Sequence, residues 1–87
     1  MDLEQKFKNA VQYVQTNTDL ELELKEKLEV YGLYKQVMEG NVSGMRPFVL
    51  QMEACMKYDA WQRQKNKPKD QVMNEYVNLI QKIRNNK

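Results

Sequence analysis

Met73, Tyr76, Val77, Ile80 and Ile83 recur at steps of three, one, three and three residues. That spacing lines one face of an α-helix, and it is the cleanest apolar stripe in the chain. Leu3, Phe7, Ala10, Val11 and Val14 repeat the pattern near the N-terminus, where a first helix is expected to end at about Thr16-Asn17. Thr18-Asp19-Leu20-Glu21 has the form of a capping box, so a second helix is expected to start there. LELEL, residues 20–24, alternates as a strand does, but five residues of alternation are outweighed by the helical spacing beyond them. Leu24, Leu28, Tyr31, Lys35 and Met38 form a helical stripe, and Gly40 stops it. GNVSGMRP, residues 40–47, holds two glycines and a proline and reads as a loop long enough to cross over a bundle. A third helix is predicted over 49–63, with Leu50, Met52, Cys55, Met56 and the Tyr58/Trp61 pair as its apolar surface. RQKNK, residues 63–67, breaks the pattern. Pro68 and Asp70 then suit the first turn of a fourth helix. The reading is an all-α domain of four helices.

With 87 residues the chain is expected to be a single domain. A domain of this size buries only about 60–65% of the surface its unfolded chain exposes, which leaves little stability to support a buried catalytic machine. There is no histidine, so the commonest general base and metal ligand is missing. Cys55 has no imidazole to activate it and falls on an apolar face, where a packed thiol is the expected role. Ser43 sits in a loop without a partner, and no P-loop, GxGxxG or EF-hand pattern occurs. No catalytic residue, metal site or cofactor is therefore expected, and a binding protein is the better class. The carboxylates at 21, 23, 26 and 29 read as a solvated helix face, with Glu21–Lys25 and Glu23–Lys27 as supporting pairs.

No apolar run approaches the roughly 20 residues of a membrane span, and MDLEQKFKNA lacks the apolar core of a signal peptide. One unpaired cysteine fits a reducing compartment, so a cytoplasmic location is expected. Charge is uneven along the chain. Residues 1–45 hold five lysines against eight carboxylates, net −3, whereas residues 46–87 hold nine Lys/Arg against four, net +5. The positive half can attract a phosphate group but is too weak to imply nucleic acid, and RQKNKPK (63–69) reads as a solvated turn.

VYGLYKQ, residues 30–36, carries the most chemistry. On a helix, Tyr31 and Lys35 lie about 40° apart and Tyr34 about 60° from Tyr31 on the other side, an arc of about 100°. The plainer reading is a pair of core tyrosines with Lys35 snorkelling past them. Gly32 argues for more, because glycine costs about 1 kcal/mol inside a helix and suggests a close approach to the backbone. KYDAW, residues 57–61, again sets a cation beside aromatic rings. Lysines donating to phosphate, beside tyrosines able to stack on a base, would form a nucleotide site.

In order, VYGLYKQ, EGNVSGMRP, KYDAW and MNEYVNLI resemble the acyl-CoA-binding protein family, also called diazepam-binding inhibitor. The resemblance runs from about residue 3 to residue 85. Its most specific part is Y-G-x-Y-K-Q with a glycine four residues later, followed by K-aromatic-D-A-W. It implies an up-down-down-up four-helix bundle with a long connection between the second and third helices. It also implies a monomer that binds, buffers and transports long-chain fatty acyl-CoA without catalysis. By resemblance, Tyr31, Lys35 and Lys57 hold the phosphates of the coenzyme A head, Tyr34 lines the adenine site, and Tyr76 contacts the ligand. Phe7, Val11, Lys27 and Leu28 correspond to positions beside the acyl chain. Trp61 and Arg46-Pro47 correspond to structural positions. The chain departs from the family pattern at Gln15, where a lysine is frequent, and at Val37 and Met38, where small residues are common. Lys27 stands where an apolar residue often meets the tail, and Val11 where alanine is usual. The alternative reading is a helical protein-interaction module that keeps the fold without the ligand.

Overall fold

The computed structural model describes residues 1–17 and 19–86, and among them the regular elements are four helices. They are α1 (Leu3–Thr16), α2 (Leu24–Glu39), α3 (Met52–Gln62) and α4 (Lys69–Asn85). The buried core is built by α1, α2 and α4 around Phe7, Ala10, Leu33, Val37, Val72, Met73, Tyr76, Ile80 and Ile83. Both stripes at the chain ends therefore face inward as their spacing predicts.

Residue contacts fix the helix directions. Leu28 shares a cleft with Met56, Gly32 meets Ala60, and the Trp61 indole donates to the Gly40 carbonyl at 2.8 Å, so α2 and α3 run parallel. Phe7 touches Tyr76 and Tyr13 lies under Arg84, so α1 and α4 are also parallel. Tyr34 shares a hollow with Tyr76, whereas Val37 and Met38 reach Met73 and Lys69 further back along α4, which makes α2 antiparallel to α4. The result is the up-down-down-up bundle. Two parallel neighbours must be joined by a long connection, and residues 40–51 supply it.

Helix ends follow local chemistry. Asp2 caps α1 by accepting from the Gln5 amide at 2.8 Å, and Asn17 Nδ2 donates to the Tyr13 carbonyl at 2.7 Å where α1 ends. α2 begins at Leu24, later than the expected start near Thr18, which lies outside the described residues. The capping box is instead Glu23 with Glu26, whose side chain accepts from the Glu23 amide at 3.2 Å. Leu20 and Leu22 are half-buried against the core while Glu21 and Glu23 are exposed, so the alternation of LELEL holds up to Glu23, outside any helix, and ends where Leu24 opens α2. Because Glu21 lies outside the helix, the expected Glu21–Lys25 support is lost, and Glu23–Lys27 forms no ion pair either. Gly40, at φ 78°, closes α2 as expected. Pro68 takes the N-cap of α4, one position before the helix proper.

In α2 and α3 burial departs from the apolar spacing. Along α2 the stripe Leu24, Leu28, Tyr31, Lys35, Met38 is not the core face, since Leu24 and Met38 are 58% and 57% exposed. The buried face is Gly32, Leu33, Gln36 and Val37. In α3 the expected start at 49 is also wrong: residues 48–51 form a turn closed by the Gln51 amide on the Phe48 carbonyl at 2.8 Å. Leu50 and Met52 point outward there, and α3 buries only Cys55 and Ala60. Cys55 is packed as expected, its thiol 3.2 Å from the Pro47 carbonyl oxygen and 3.3 Å from that of Phe48.

Gly32 has a structural cause. A Cβ placed there would stand 2.4 Å from the Ala60 carbonyl oxygen and 2.7 Å from its carbon, so α2 and α3 touch backbone to backbone. Gly32→Ala gains about 1 kcal/mol of helix propensity but overpacks this contact. Overpacking costs roughly 1–3 kcal/mol, toward the upper end where the obstacle is backbone, so the expected net loss is about 1–2 kcal/mol. Thermal unfolding should show Tm lowered by about 4 °C or more. An unchanged or raised Tm would mean that the helices are not held at this contact.

Candidate functional site

α1 packs on α4, and α2 packs on α3 and α4, but α1 and α2 make no direct backbone contact. The gap between them is a groove. Its larger hollow, about 310 Å³, is walled by Phe7, Val11, Tyr34, Val37, Met38 and Met73. A second hollow of about 200 Å³ adjoins it, formed by Val11, Val14, Val30, Tyr31, Tyr34 and Tyr76. Val11, Gln15 and Tyr34 belong to both hollows. Of the α2 stripe, Tyr31 and Met38 belong to the wall of this groove, whereas Leu24 and Leu28 do not.

Aromatic packing fixes the groove floor. The Phe7 and Tyr34 rings stack with centroids 6.5 Å apart, and Phe7 meets Tyr76 at 4.9 Å with a 60° tilt. Tyr76 is almost fully buried, and its hydroxyl forms no hydrogen bond among the described residues. Burial pushes its phenol up to about 12, with the neighbouring Tyr34 adding to the shift.

The two lysines singled out in the sequence meet at the α2–α3 seam. Lys35 Nζ lies 4.8 Å from the Trp61 ring centroid, and Lys57 Nζ lies 5.6 Å from that of Tyr31. Each also pairs with a carboxylate one turn away on its own helix: Lys35 with Glu39, and Lys57 with Glu53 at 3.4 Å. The Glu39 bond raises the Lys35 ammonium above its ordinary value, against an opposing pull from desolvation. These partners were missed in the sequence, although i,i+4 spacing marks both. With a ring face beside each and a carboxylate paired to each, the ammonium groups are positions at which a phosphate can replace a carboxylate.

The expected site residues are thus placed in two groups joined through Tyr31 and Lys57. Phe7, Val11, Tyr31, Tyr34 and Tyr76 line the groove. Lys27 and Leu28 lie instead in a separate cleft of about 340 Å³ between α2 and α3, with Leu24, Glu53, Met56 and Lys57. Lys27 is exposed and free of ion pairs among the described residues. The structural positions hold the seam together. Arg46 makes a two-pronged ion pair with Asp59 at 2.8 and 2.9 Å, which lowers the Asp59 carboxyl and raises the guanidinium. Asn41 accepts from Gln36 Nε2 at 2.9 Å and from the Asn66 amide at 2.7 Å, tying the end of α2 to the α3–α4 turn.

The family model described as Acyl CoA binding protein matches residues 4–80. The chain is 32% identical over 83 residues to acyl-CoA-binding domain-containing protein 6 of Arabidopsis thaliana, covering 95% of this chain and 89% of that one. It is 30% identical over 89 residues to an acyl-CoA-binding protein of Gossypium hirsutum, covering 95% and 92% of the two. Among solved structures, the crystal structure of Oryza sativa acyl-CoA-binding protein 2 superposes with a TM-score of 0.88 at 28% identity, covering 98% of this chain and 93% of that one.

Burial of Tyr76 predicts a pH dependence. Below pH 10 the phenol keeps its proton whether or not the chain is folded. Between pH 10 and about 12 the unfolded chain releases that proton and the folded protein retains it, so rising pH favours unfolding across this window. Ultraviolet titration of phenolate should show one late-ionising tyrosine, and Tyr76→Phe should remove that step. A variant that keeps the late step would place the buried phenol elsewhere.

Proposed function

The chain belongs to the acyl-CoA-binding protein family, and we propose accordingly that it binds long-chain fatty acyl-CoA thioesters without catalysing their conversion. Residues 1–87 would act as one acyl-CoA-binding domain, monomeric and cytoplasmic, that buffers and carries its ligand. The observation that carries this reading is a pair of lysines over aromatic rings at the α2–α3 seam, joined through Tyr31 to an apolar groove between α1 and α2. Phosphate oxygens of the coenzyme A head replace the Glu39 and Glu53 carboxylates on Lys35 and Lys57. Tyr31 supplies a hydroxyl beside them, and Tyr34 offers a ring face to the adenine. Tyr76 meets the ligand from the groove floor. Phe7 and Val11 face the acyl chain from α1, while Leu28 and the Lys27 methylene stem extend the apolar path past Lys57. Each methylene removed from water contributes about 0.8 kcal/mol, so a long tail dominates affinity while the head supplies selectivity.

No bond is made or broken in this reading, which suits a site without histidine or an activated nucleophile. The test is calorimetric titration with palmitoyl-CoA, free coenzyme A and palmitate. Palmitoyl-CoA should bind far more tightly than either part. Lys35→Met and Lys57→Met each remove charge-assisted bonds worth roughly 1.5–3 kcal/mol, so each should weaken palmitoyl-CoA binding about tenfold or more. Lys65→Met, in the exposed turn after α3, should change little. Palmitate binding as tightly as palmitoyl-CoA would overturn the head-group assignment. A folded protein with no binding would select a protein-interaction module instead.

A further inference from the structure

Five of the eight most exposed large apolar side chains in the molecule fall within residues 45–52. Met45, Phe48, Val49, Leu50 and Met52 range from 65% exposed at Val49 to 94% at Met45. A patch of this kind is unusual on a soluble surface and marks a contact. The segment is also firmly held from beneath. The Tyr58 hydroxyl donates to the Gly44 carbonyl at 3.1 Å, the Cys55 thiol lies on the Pro47 and Phe48 carbonyls, and Arg46 is clamped to Asp59. The backbone is bound inward to α3 while the apolar side chains are turned outward.

We propose that this loop docks the protein on a phospholipid bilayer, inserting Phe48, Leu50 and their neighbours at the boundary between headgroups and acyl chains. Three features select a bilayer over another protein. Lipid chains offer no hydrogen bonds, and the carbonyls of residues 44, 47 and 48 already have donors within the fold. Residues 47–52 carry no charge, and the flanking charges are paired, Arg46 with Asp59 and Lys57 with Glu53. The patch is also continuous with the ligand path. Glu53 and Lys57 line both the hollow beside Met52 and the cleft of Leu28 and Met56. This inference rests on the proposed function for its purpose: an amphiphilic thioester partitions into bilayers, and a docked loop would bring the cleft to the surface where its tail lies. Weak, reversible docking suits a carrier that must leave with its load.

The experiment uses large unilamellar vesicles of phosphatidylcholine. Without ligand, the emission of Leu50→Trp relative to wild type should shift to the blue on adding vesicles and be quenched by lipids brominated on their chains. The Phe48→Asp/Leu50→Asp double variant, altered only at exposed positions, should extract palmitoyl-CoA from these vesicles about fivefold more slowly or worse, with its solution affinity within about twofold of wild type. No emission change, or extraction at the wild-type rate, overturns the proposal. A concentration-dependent dimer broken by the double variant overturns it in favour of a second copy of this chain. Failure of the wild-type protein to bind palmitoyl-CoA in solution sinks the proposed function alone, because the ligand-free emission measurement still decides docking.

Discussion

The backbone approach of α2 and α3 at Gly32 and Ala60 sets the position of everything around it. Only a residue without a side chain lets two parallel helices come this near. At that separation Lys57 lies over Tyr31 and Lys35 over Trp61, so cations from two helices share one seam. The crossover is then stitched to α3 by Trp61, Tyr58 and the Arg46–Asp59 clamp. With α2 committed to α3 and α4, and α1 committed to α4, the space between α1 and α2 stays open. Closeness on one side of α2 thus produces the groove on the other.

The electrostatics of the seam complement this packing. A half-buried ammonium that stacks on a ring and pairs with a carboxylate one turn away is held in place without being fully desolvated. Lys35 and Lys57 both meet this description. In the proposed binding step each lysine exchanges one anion for another. The carboxylates then oppose binding, and the phosphate head must gain more from the lysines than Glu39 and Glu53 give up. Apolar burial of the tail is not subject to that competition.

Much of the fold was legible in the sequence because α1 and α4 each bury a single stripe, so period and burial agree. α2 is amphipathic in a less ordinary way. Its Leu24–Met38 stripe is apolar toward the groove and the α2–α3 cleft, while the true core face includes Gly32 and Gln36, which a hydrophobicity pattern passes over. Gly32 did signal a close approach, but its sequence position could not reveal that the visitor is Ala60. In the same way Leu50 and Met52 read as apolar surface at the start of the third helix, although their side chains face out. Composition reports which residues are apolar, not which of them find a partner within the chain. The site showed the same division: the tyrosines and lysines were visible as a helical arc, whereas the assignment of Lys27 and Leu28 to a second cleft depends on how α2 sits against α3.

Amide chemical-shift mapping of the labelled protein, with and without one equivalent of palmitoyl-CoA, decides whether the α1–α2 groove and its lysine seam form the ligand site. The largest changes should fall on Val11, Val14, Tyr34, Lys35 and Lys57. The polar cleft between α1 and α4, lined by Asn9, Asn74, Asn78 and Gln81, should remain nearly still. Changes concentrated in that cleft, or spread evenly over all four helices, would contradict the assignment.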